Sequence, residues 1–495
     1  MLQNLTTRKK EVLLTVASNL LLQIVTAVCG FILPPLVIST FGSSVNGMVS
    51  SITQFIAYLN IVEAGVGGAS IAALYKPLAL GDSSERNAIL SATAKFYNRS
   101  GLLFTILIFI LAFVYPLLVG NEVDRLQAGL MVLVLGITGA AEFFLIGKYR
   151  VLLTADKKVY VISIVQMGAL IVSTSLAVVF IKIGFGILVV KLSSALMFLA
   201  RYLVLSLYVR LHYSGVNFHV EPDTKAISQS KNVLVHQIGA LVVFNSPLVI
   251  ITIFCSLKDA SVYTVYAMVF NAVNQLLGAF SNGMQSFFGE SLVTDSIERT
   301  RNIFARYETV YFAIEGWFYA MTYLLIMPFM VLYTVNMTDT QYMQPALAVL
   351  FVFVGVLNNI RSPANQLINA AGHFKKTQWR SVSEAAINVV CSIAGVMFLG
   401  FKGVLLGAVC SGVYRGADMI IYSSRHILKS ARSGIESLLK IAVFSLVFFG
   451  ICRLVQIKSF MPENYMQWIL LAVVYGGLMT LPFALLLICR KVVCE

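Results

Sequence analysis

The sequence predicts an all-α polytopic membrane protein with about fourteen transmembrane helices, and three observations predict it. The 495-residue chain is 58% hydrophobic and 12% charged, with a mean hydropathy of +0.85; a soluble domain carries roughly a quarter charged residues. Apolar runs of about 20 residues, each long enough to cross a bilayer, recur along the whole length. The polar residues inside those runs fall on helical stripes. Ser411, Arg415, Asp418, Tyr422 and Arg425 follow one another at steps of four and three, as do Asn358, Arg361, Asn365 and Asn369. Glu308, Tyr311, Glu315 and Tyr319 do the same, and Asn46, Ser50, Thr53, Asn60, Glu63 and Gly67 keep to one face. Residues three and four apart share a helix face. A charge facing lipid costs several kcal/mol, so each stripe must face protein or a wet cavity. Many helices with one wet face each describe a bundle around a polar passage, as in a transporter.

The spans are expected near 12–39, 45–75, 87–119, 126–153, 158–181, 185–209, 230–256, 260–292, 300–334, 341–371, 377–400, 403–427, 436–457 and 466–489. Arg8, Lys9 and Lys10 precede the first span. Its length and its Asn19 and Gln23 predict a retained helix rather than a cleaved leader. Basic residues set the orientation. With the amino terminus inside, inner segments hold Lys76, Arg86, Lys148, Arg150, Lys157, Lys158, Arg210, Lys375, Lys376, Arg380, Arg432, Arg490 and others, whereas outer loops hold only Arg125, Lys182, Lys258, Lys402 and Lys458. That asymmetry places both termini in the cytoplasm. It also accounts for most of the net charge of +14, so the basic balance implies anionic lipid as neighbour and no nucleic-acid partner. The seven cysteines, Cys29, Cys255, Cys391, Cys410, Cys452, Cys489 and Cys494, show no metal or redox spacing and read as small core residues.

The chain also looks duplicated. Setting 155–194 against 372–411 aligns Ala155 with Gly372, Lys158 with Lys375, Gly186 with Gly403 and Ser194 with Ser411. Both segments run from a basic loop through a long apolar helix and a glycine-containing loop into a second helix. Two six-helix lobes follow from this reading, with two further helices at the carboxyl end. The expected divisions are an N-lobe at 1–209, an inter-lobe linker at 210–229, a C-lobe at 230–430 and a C-terminal pair at 431–495. Parallel repeats of this kind carry substrate near the bilayer midplane and work by rocking.

The stretch Phe41-Gly42-Ser43-Ser44-Val45-Asn46-Gly47 leads through Ser50-Ser51-Ile52-Thr53-Gln54-Phe55 to Glu63-Ala64-Gly65-Val66-Gly67-Gly68 and Leu74-Tyr75-Lys76-Pro77-Leu78. It resembles the start of bacterial polysaccharide transporters, the Wzx-type flippases of undecaprenyl-linked oligosaccharides. Their superfamily also holds multidrug-and-toxin extruders (MATE) and the lipid II flippase. The motif covers about residues 33–80; helix number and lobes extend the resemblance over the chain. It implies a MATE-like fold, a lipid-linked oligosaccharide as substrate, alternating access and a place in the bacterial inner membrane. Surface polysaccharide biosynthesis is the implied process, with a polysaccharide polymerase and chain-length proteins as partners. No catalytic residue, metal or cofactor is expected.

A lipid diphosphate bearing sugars needs cations for its phosphates and neutral groups for its hydroxyls, and the planar fork of arginine suits a diphosphate. Arg361, among Asn358, Asn359, Asn365 and Asn369 with Pro363 nearby, is the leading candidate; snorkelling or neutralising a buried acid is its alternative role. Arg415 is the second, with an internal pair to Asp418 as its alternative. Lys95 and Arg99, one turn apart, offer a basic face in the N-lobe, with Lys95 shallower and Arg99 expected about 13 residues, roughly 20 Å of rise, past the inner end, too deep for easy snorkelling. Asn274, on a stripe with Asn271, Gln275, Asn282 and Gln285, is a candidate for sugar contacts beside Asn365. Coupling to a proton, sodium ion or the membrane potential would fall to Glu63, Glu142, Glu315 or Asp418, unless they neutralise arginines. Glu384 is a further acid of this set, and His236 reads as a core residue. A drug or cation extruder is the rival reading, and it predicts a passage dominated by acids. A membrane polymerase or ligase would need a large outer loop with His or clustered acids, and the outer loops are a few residues each.

Overall fold

The computed structural model describes residues 2–63, 66–227, 231–455 and 461–493. Their regular structure is all helical, with no strand among the described residues. The helices are α1 (Leu2–Phe41), α2 (Ser43–Leu59), α3 (Val66–Leu80), α4 (Ser83–Leu118), α5 (Arg125–Ala141), α6 (Gly147–Ala155), α7 (Val159–Ile183) and α8 (Ile187–His212). There follow α9 (Lys231–Phe254), α10 (Leu257–Asn282), α11 (Met284–Thr294), α12 (Ile297–Tyr333), α13 (Pro345–Ile360) and α14 (Ser362–Ala370). The last are α15 (Phe374–Leu399), α16 (Val404–Tyr422), α17 (Ala431–Val455) and α18 (Tyr465–Val493).

Twelve stretches among the described residues are long and apolar enough to cross a membrane, and one of them, Phe374–Ile427, contains both α15 and α16. With α10, the expected fourteen spans are accounted for, and the chain is a multi-pass membrane protein. Every span agrees with its expected position to within a few residues, because hydropathy and turn residues mark the ends. Asp82 caps α4 by accepting from the N–H groups of Ser84 and Glu85, and Ser296 caps α12 by accepting from Arg299 N.

Five spans expected as continuous are broken instead. α2 passes into a 3-10 turn, Asn60–Glu63, before α3. A π-turn, Glu142–Ile146, joins α5 to α6, and another, Ser423–Ile427, ends α16. Gly283 separates α10 from α11, and Arg361 separates α13 from α14. Pro363 sits in the first turn of α14, where its missing N–H costs least. Irregular backbone is tolerated at membrane depth only where protein or a wet cavity satisfies it. Three of the candidate residues, Glu63, Glu142 and Arg361, sit at these breaks.

The chain forms two compact units, one of residues 1–241 with 256–261, the other of 242–255 with 262–495. In the first, the apolar core gathers Met48, Ile52, Leu74, Leu90, Phe104, Met131, Leu152 and Ile187 from α2 to α8. A Cβ at Gly47 would overlap Leu257 O at 1.8 Å, so only glycine permits that approach. The Asn46 amide beside it donates to Ser261 Oγ at 2.8 Å. In the second, α15 and α16 are the tightest pair: a Cβ at Gly395 or Gly403 would strike the other's backbone at about 2 Å. Small-residue contacts of this type are how membrane helices associate when lipid removes the hydrophobic drive. α17 and α18 pack on α12 within the second unit.

Candidate functional site

Among the described residues the polar stripes meet in two ion-pair networks and a separate Glu308–Lys440 pair, and the candidate cations Lys95 and Arg99 stand outside all of them. In the first unit, Glu63 at the break after α2 accepts from the Tyr97 hydroxyl at 2.6 Å and pairs with Arg150. Arg150 also contacts Glu142 at 3.1 Å, and Glu142 lies 3.8 Å from Arg201 of α8. Two glycines make room for this chain. Gly147 lies against the Tyr97 ring, where a Cβ would come within 2.4 Å, and Gly67 faces the Tyr97 hydroxyl. Gly68 has open space around its Cβ position, and Gly65 lies outside the described residues.

In the second unit, Glu384 of α15 stands between two arginines. It pairs with Arg361, and Arg415 Nε lies 3.2 Å from its other oxygen, an ionic contact without hydrogen-bond alignment. Arg415 NH1 donates to Asp418 at 2.9 Å, and Asp418 also takes Arg380. The side chains of Arg361, Arg415 and Glu384 are 11%, 4% and 9% exposed, so this centre of the network is dry, while Arg380 at its edge is 34% exposed. Asn388 ties the same helices together, donating to Ser411 Oγ at 3.1 Å and accepting from Ser246 at 3.0 Å.

A second polar chain runs along α12. Glu308 pairs with Lys440 of α17 at 2.5 Å. The Tyr311 hydroxyl donates to Asn359 at 3.2 Å, and the Tyr319 hydroxyl donates to Asn274 Oδ1 at 2.8 Å. Asn359 Nδ2 meets the same Asn274 oxygen at 2.7 Å. Asn274 is thereby held between helices, and Asn365 is half-buried on α14. Glu315 lies on the same stripe of α12, buried, with Oε1 unpartnered among the described residues. It lines a cavity of about 780 Å³ that is otherwise mostly apolar, Phe312, Tyr323, Phe353 and Phe444 among its walls, with Arg453 also in the lining. Of the four coupling candidates, Glu63, Glu142 and Asp418 are ion-paired, and Glu315 alone is not, among the described residues.

Lys95 and Arg99 differ from the other candidates. Both are exposed, and neither forms an ion pair among the described residues. They line a cavity of about 640 Å³ in the first unit, with Val62, Ala92, Phe96, Thr224 and Ile227. The expectation that Arg99 lies deep needs adjustment. α4 has 36 residues, about 54 Å of rise against a hydrocarbon layer of about 30 Å. The uncharged run from Ser100 to Leu118 rises about 28 Å by itself. α4 is therefore long enough to hold both cations near the headgroup level at its Ser83 end.

Hydropathy flagged Arg361, Arg415, Glu63 and Glu142 because they interrupt apolar spans. Arg150 and Arg380 were legible only as inner-side basic residues, and Lys440, inside its expected span, went unread, since their partners lie on distant helices. Arg201 carried a usable signal, a cation at the middle of the apolar run of α8.

No protein-family model matches the chain, and no curated protein matches it in sequence. Solved structures match its fold. The chain is similar to the lipid II flippase MurJ in an inward closed conformation, with TM-score 0.67 and 15% identity over 96% of this chain and 100% of that one. It is similar to an inward-facing multidrug resistance MATE family transporter of the MOP superfamily, with TM-score 0.63 and 13% identity over 87% of this chain and 99% of the other. A mutant of the Vibrio cholerae MATE transporter VcmN gives TM-score 0.53 at 15% identity, over 87% and 98%. At these identities the likeness defines the fold: an all-helical, MATE-like membrane architecture.

Proposed function

We propose that this protein is a flippase that carries an undecaprenyl-diphosphate-linked oligosaccharide across the bacterial inner membrane by alternating access, breaking no covalent bond. The observation that supports this most is the bare pair Lys95 and Arg99 in the first unit's cavity. Two cations one helical turn apart, near the headgroup level and without carboxylate partners among the described residues, are an unneutralised receptor for a diphosphate. Arg361 and Arg415 belong to this reading in a different way. Each shares Glu384, so their charge reaches a substrate only as the surplus of three arginines, Arg361, Arg415 and Arg380, over two acids, Glu384 and Asp418. Asn365 and Asn274 serve the sugars in this scheme. The fold shared with a lipid II flippase is compatible with such cargo. Surface polysaccharide biosynthesis, with a polymerase and chain-length proteins nearby and both termini in the cytoplasm, completes the proposal.

Reconstituted vesicles test it. Flipping of a labelled lipid-diphosphate sugar should fall tenfold or more in Lys95→Ala/Arg99→Ala at equal protein, because charge-assisted contacts contribute about 1.5–3 kcal/mol each. Undiminished flipping in that variant removes the proposal's main support.

One observation favours a second reading, a cation or drug extruder. Glu315 is a buried acid in no ion pair among the described residues, on the wall of a largely apolar cavity. Accumulation of a lipophilic cation in vesicles, abolished by Glu315→Gln while lipid flipping is absent, is the outcome that reading requires.

A further inference from the structure

The segment between α8 and α9, expected as the linker joining the lobes, lies fastened on the first unit over its described residues 213–227. Tyr213 donates its hydroxyl to Asp156 at 2.5 Å, with Lys158 over its ring at 4.7 Å. Burial and the Asp156 carboxylate push that phenol well above its ordinary range, so it remains the donor. The Phe218 ring meets Tyr149 edge-on at 5.5 Å and carries Lys148 at 5.0 Å. The remaining fastenings come from one helix, α4. Arg86 donates to Ser214 O at 3.3 Å, Asn87 to Gly215 O at 2.7 Å and Ser91 to Val220 O at 2.6 Å. Ala88 O accepts from Asp223 N at 3.2 Å.

α4 therefore does two things along one line. Its residues 86–91 hold the strap, and one and two turns further on, Lys95 and Arg99 enter the cavity. A turn rises about 5.4 Å, so the strap crosses α4 immediately beside Lys95. Having crossed, the chain places Thr224 and Ile227 on the cavity wall. Thr224 is exposed there, and Ile227 is 8% exposed and seated in the core. We infer that residues 213–227 are a fixed wall of the Lys95–Arg99 cavity, and that Thr224, on this wall, sets the size of the head group that reaches the two cations. The inference rests on the anion-binding reading above and adds a determinant of specificity to it. A strap held by backbone groups at four points along one helix moves with that helix, so the opening it leaves is constant while the site is occupied.

Two measurements on the full-length protein test this. The probes are farnesyl diphosphate and the same lipid diphosphate carrying a disaccharide, each bound to purified protein in detergent. Thr224→Trp adds bulk at an exposed position without disturbing the core. It should leave farnesyl diphosphate affinity within about twofold and weaken the disaccharide ligand about tenfold or more. Equal affinity for both ligands, or equal loss of both, overturns the sizing role. Wild-type protein that binds neither probe, or Lys95→Ala/Arg99→Ala that binds both normally, counts against the anion site itself and is distinguishable from failure of the strap. Amide exchange reads the wall without any ligand. Peptides spanning 213–227 should exchange slowly, and faster in Asn87→Ala/Ser91→Ala. Complete exchange within seconds in the wild type identifies a free tether and overturns the inference.

Discussion

Both units pair their enclosed arginines with acids, and the first also presents two exposed, unpaired cations to a cavity. In the second, Arg361, Arg415 and Arg380 are knitted to Glu384 and Asp418 in a network that joins the α13–α14 break to α15 and α16 and is dry at Arg361, Arg415 and Glu384. In the first, Arg150 and Arg201 are likewise paired, with Glu63 and Glu142, but Lys95 and Arg99 remain open to a cavity. An arginine inside an apolar span has two fates: it neutralises a carboxylate and holds helices together, or it stays solvated and waits for an anion. Sequence position does not separate these fates, because the deciding partner sits on another helix.

The sharpest way to break this comparison is Glu384→Gln. It leaves two nearly buried guanidinium groups with a neutral neighbour, and losing one partner of such a network costs about 3–5 kcal/mol. Thermal unfolding in detergent should show a large fall in Tm, whereas Lys95→Ala/Arg99→Ala should leave Tm almost unchanged. The reverse pattern would sink the division into structural and receptive cations. Next in size is Gly147→Ala. Its new methyl would stand 2.4 Å from the Tyr97 ring, and such overpacking costs about 1–3 kcal/mol. Because Tyr97 positions Glu63, unfolding and Arg150 accessibility should change together; an unaltered Tm would show that the ring yields freely.

Arg361→Lys sharpens the comparison at lower amplitude. Lysine keeps the charge opposite Glu384 but loses the planar fork, so a loss of about 1–2 kcal/mol is expected, smaller than for Glu384→Gln. A variant as unstable as Glu384→Gln would mean that geometry outweighs charge in this network. The smallest effect belongs to Arg432→Ala. Its partner Glu436 is 45% exposed and Arg432 itself 88%, so screening limits the pair to less than about 0.5 kcal/mol. A measurable fall in Tm there would contradict the claim that only the enclosed pairs stabilise the fold.

The fold was largely legible from the sequence. Fourteen spans, their order and most of their ends follow from apolar run length, helix caps and turn residues, which are local properties. The breaks within five spans were less legible. Only Pro363 announced one, while the π-turns at Glu142–Ile146 and Ser423–Ile427 have no local sequence mark. Packing partners stabilise them, and packing partners are not local. The candidate site divides in the same way. Stripe periodicity identified Glu63, Glu315, Arg361, Arg415 and Asp418 as facing protein or a cavity. It left open which of those two each one faces.

By itself, the sequence determined that this chain crosses a membrane many times, that its polar groups avoid lipid, and that cations occur inside its spans. These follow from the cost of charge in hydrocarbon, which acts on every residue wherever its neighbours lie. Only the tertiary structure decided that Glu384 serves Arg361 and Arg415, that Glu315 is in no ion pair among the described residues, and that Lys95 and Arg99 share a cavity walled by residues 213–227. Those outcomes depend on pairwise distances between helices far apart in the chain, and a charge's role is set by whether an opposite charge lies within about 4 Å.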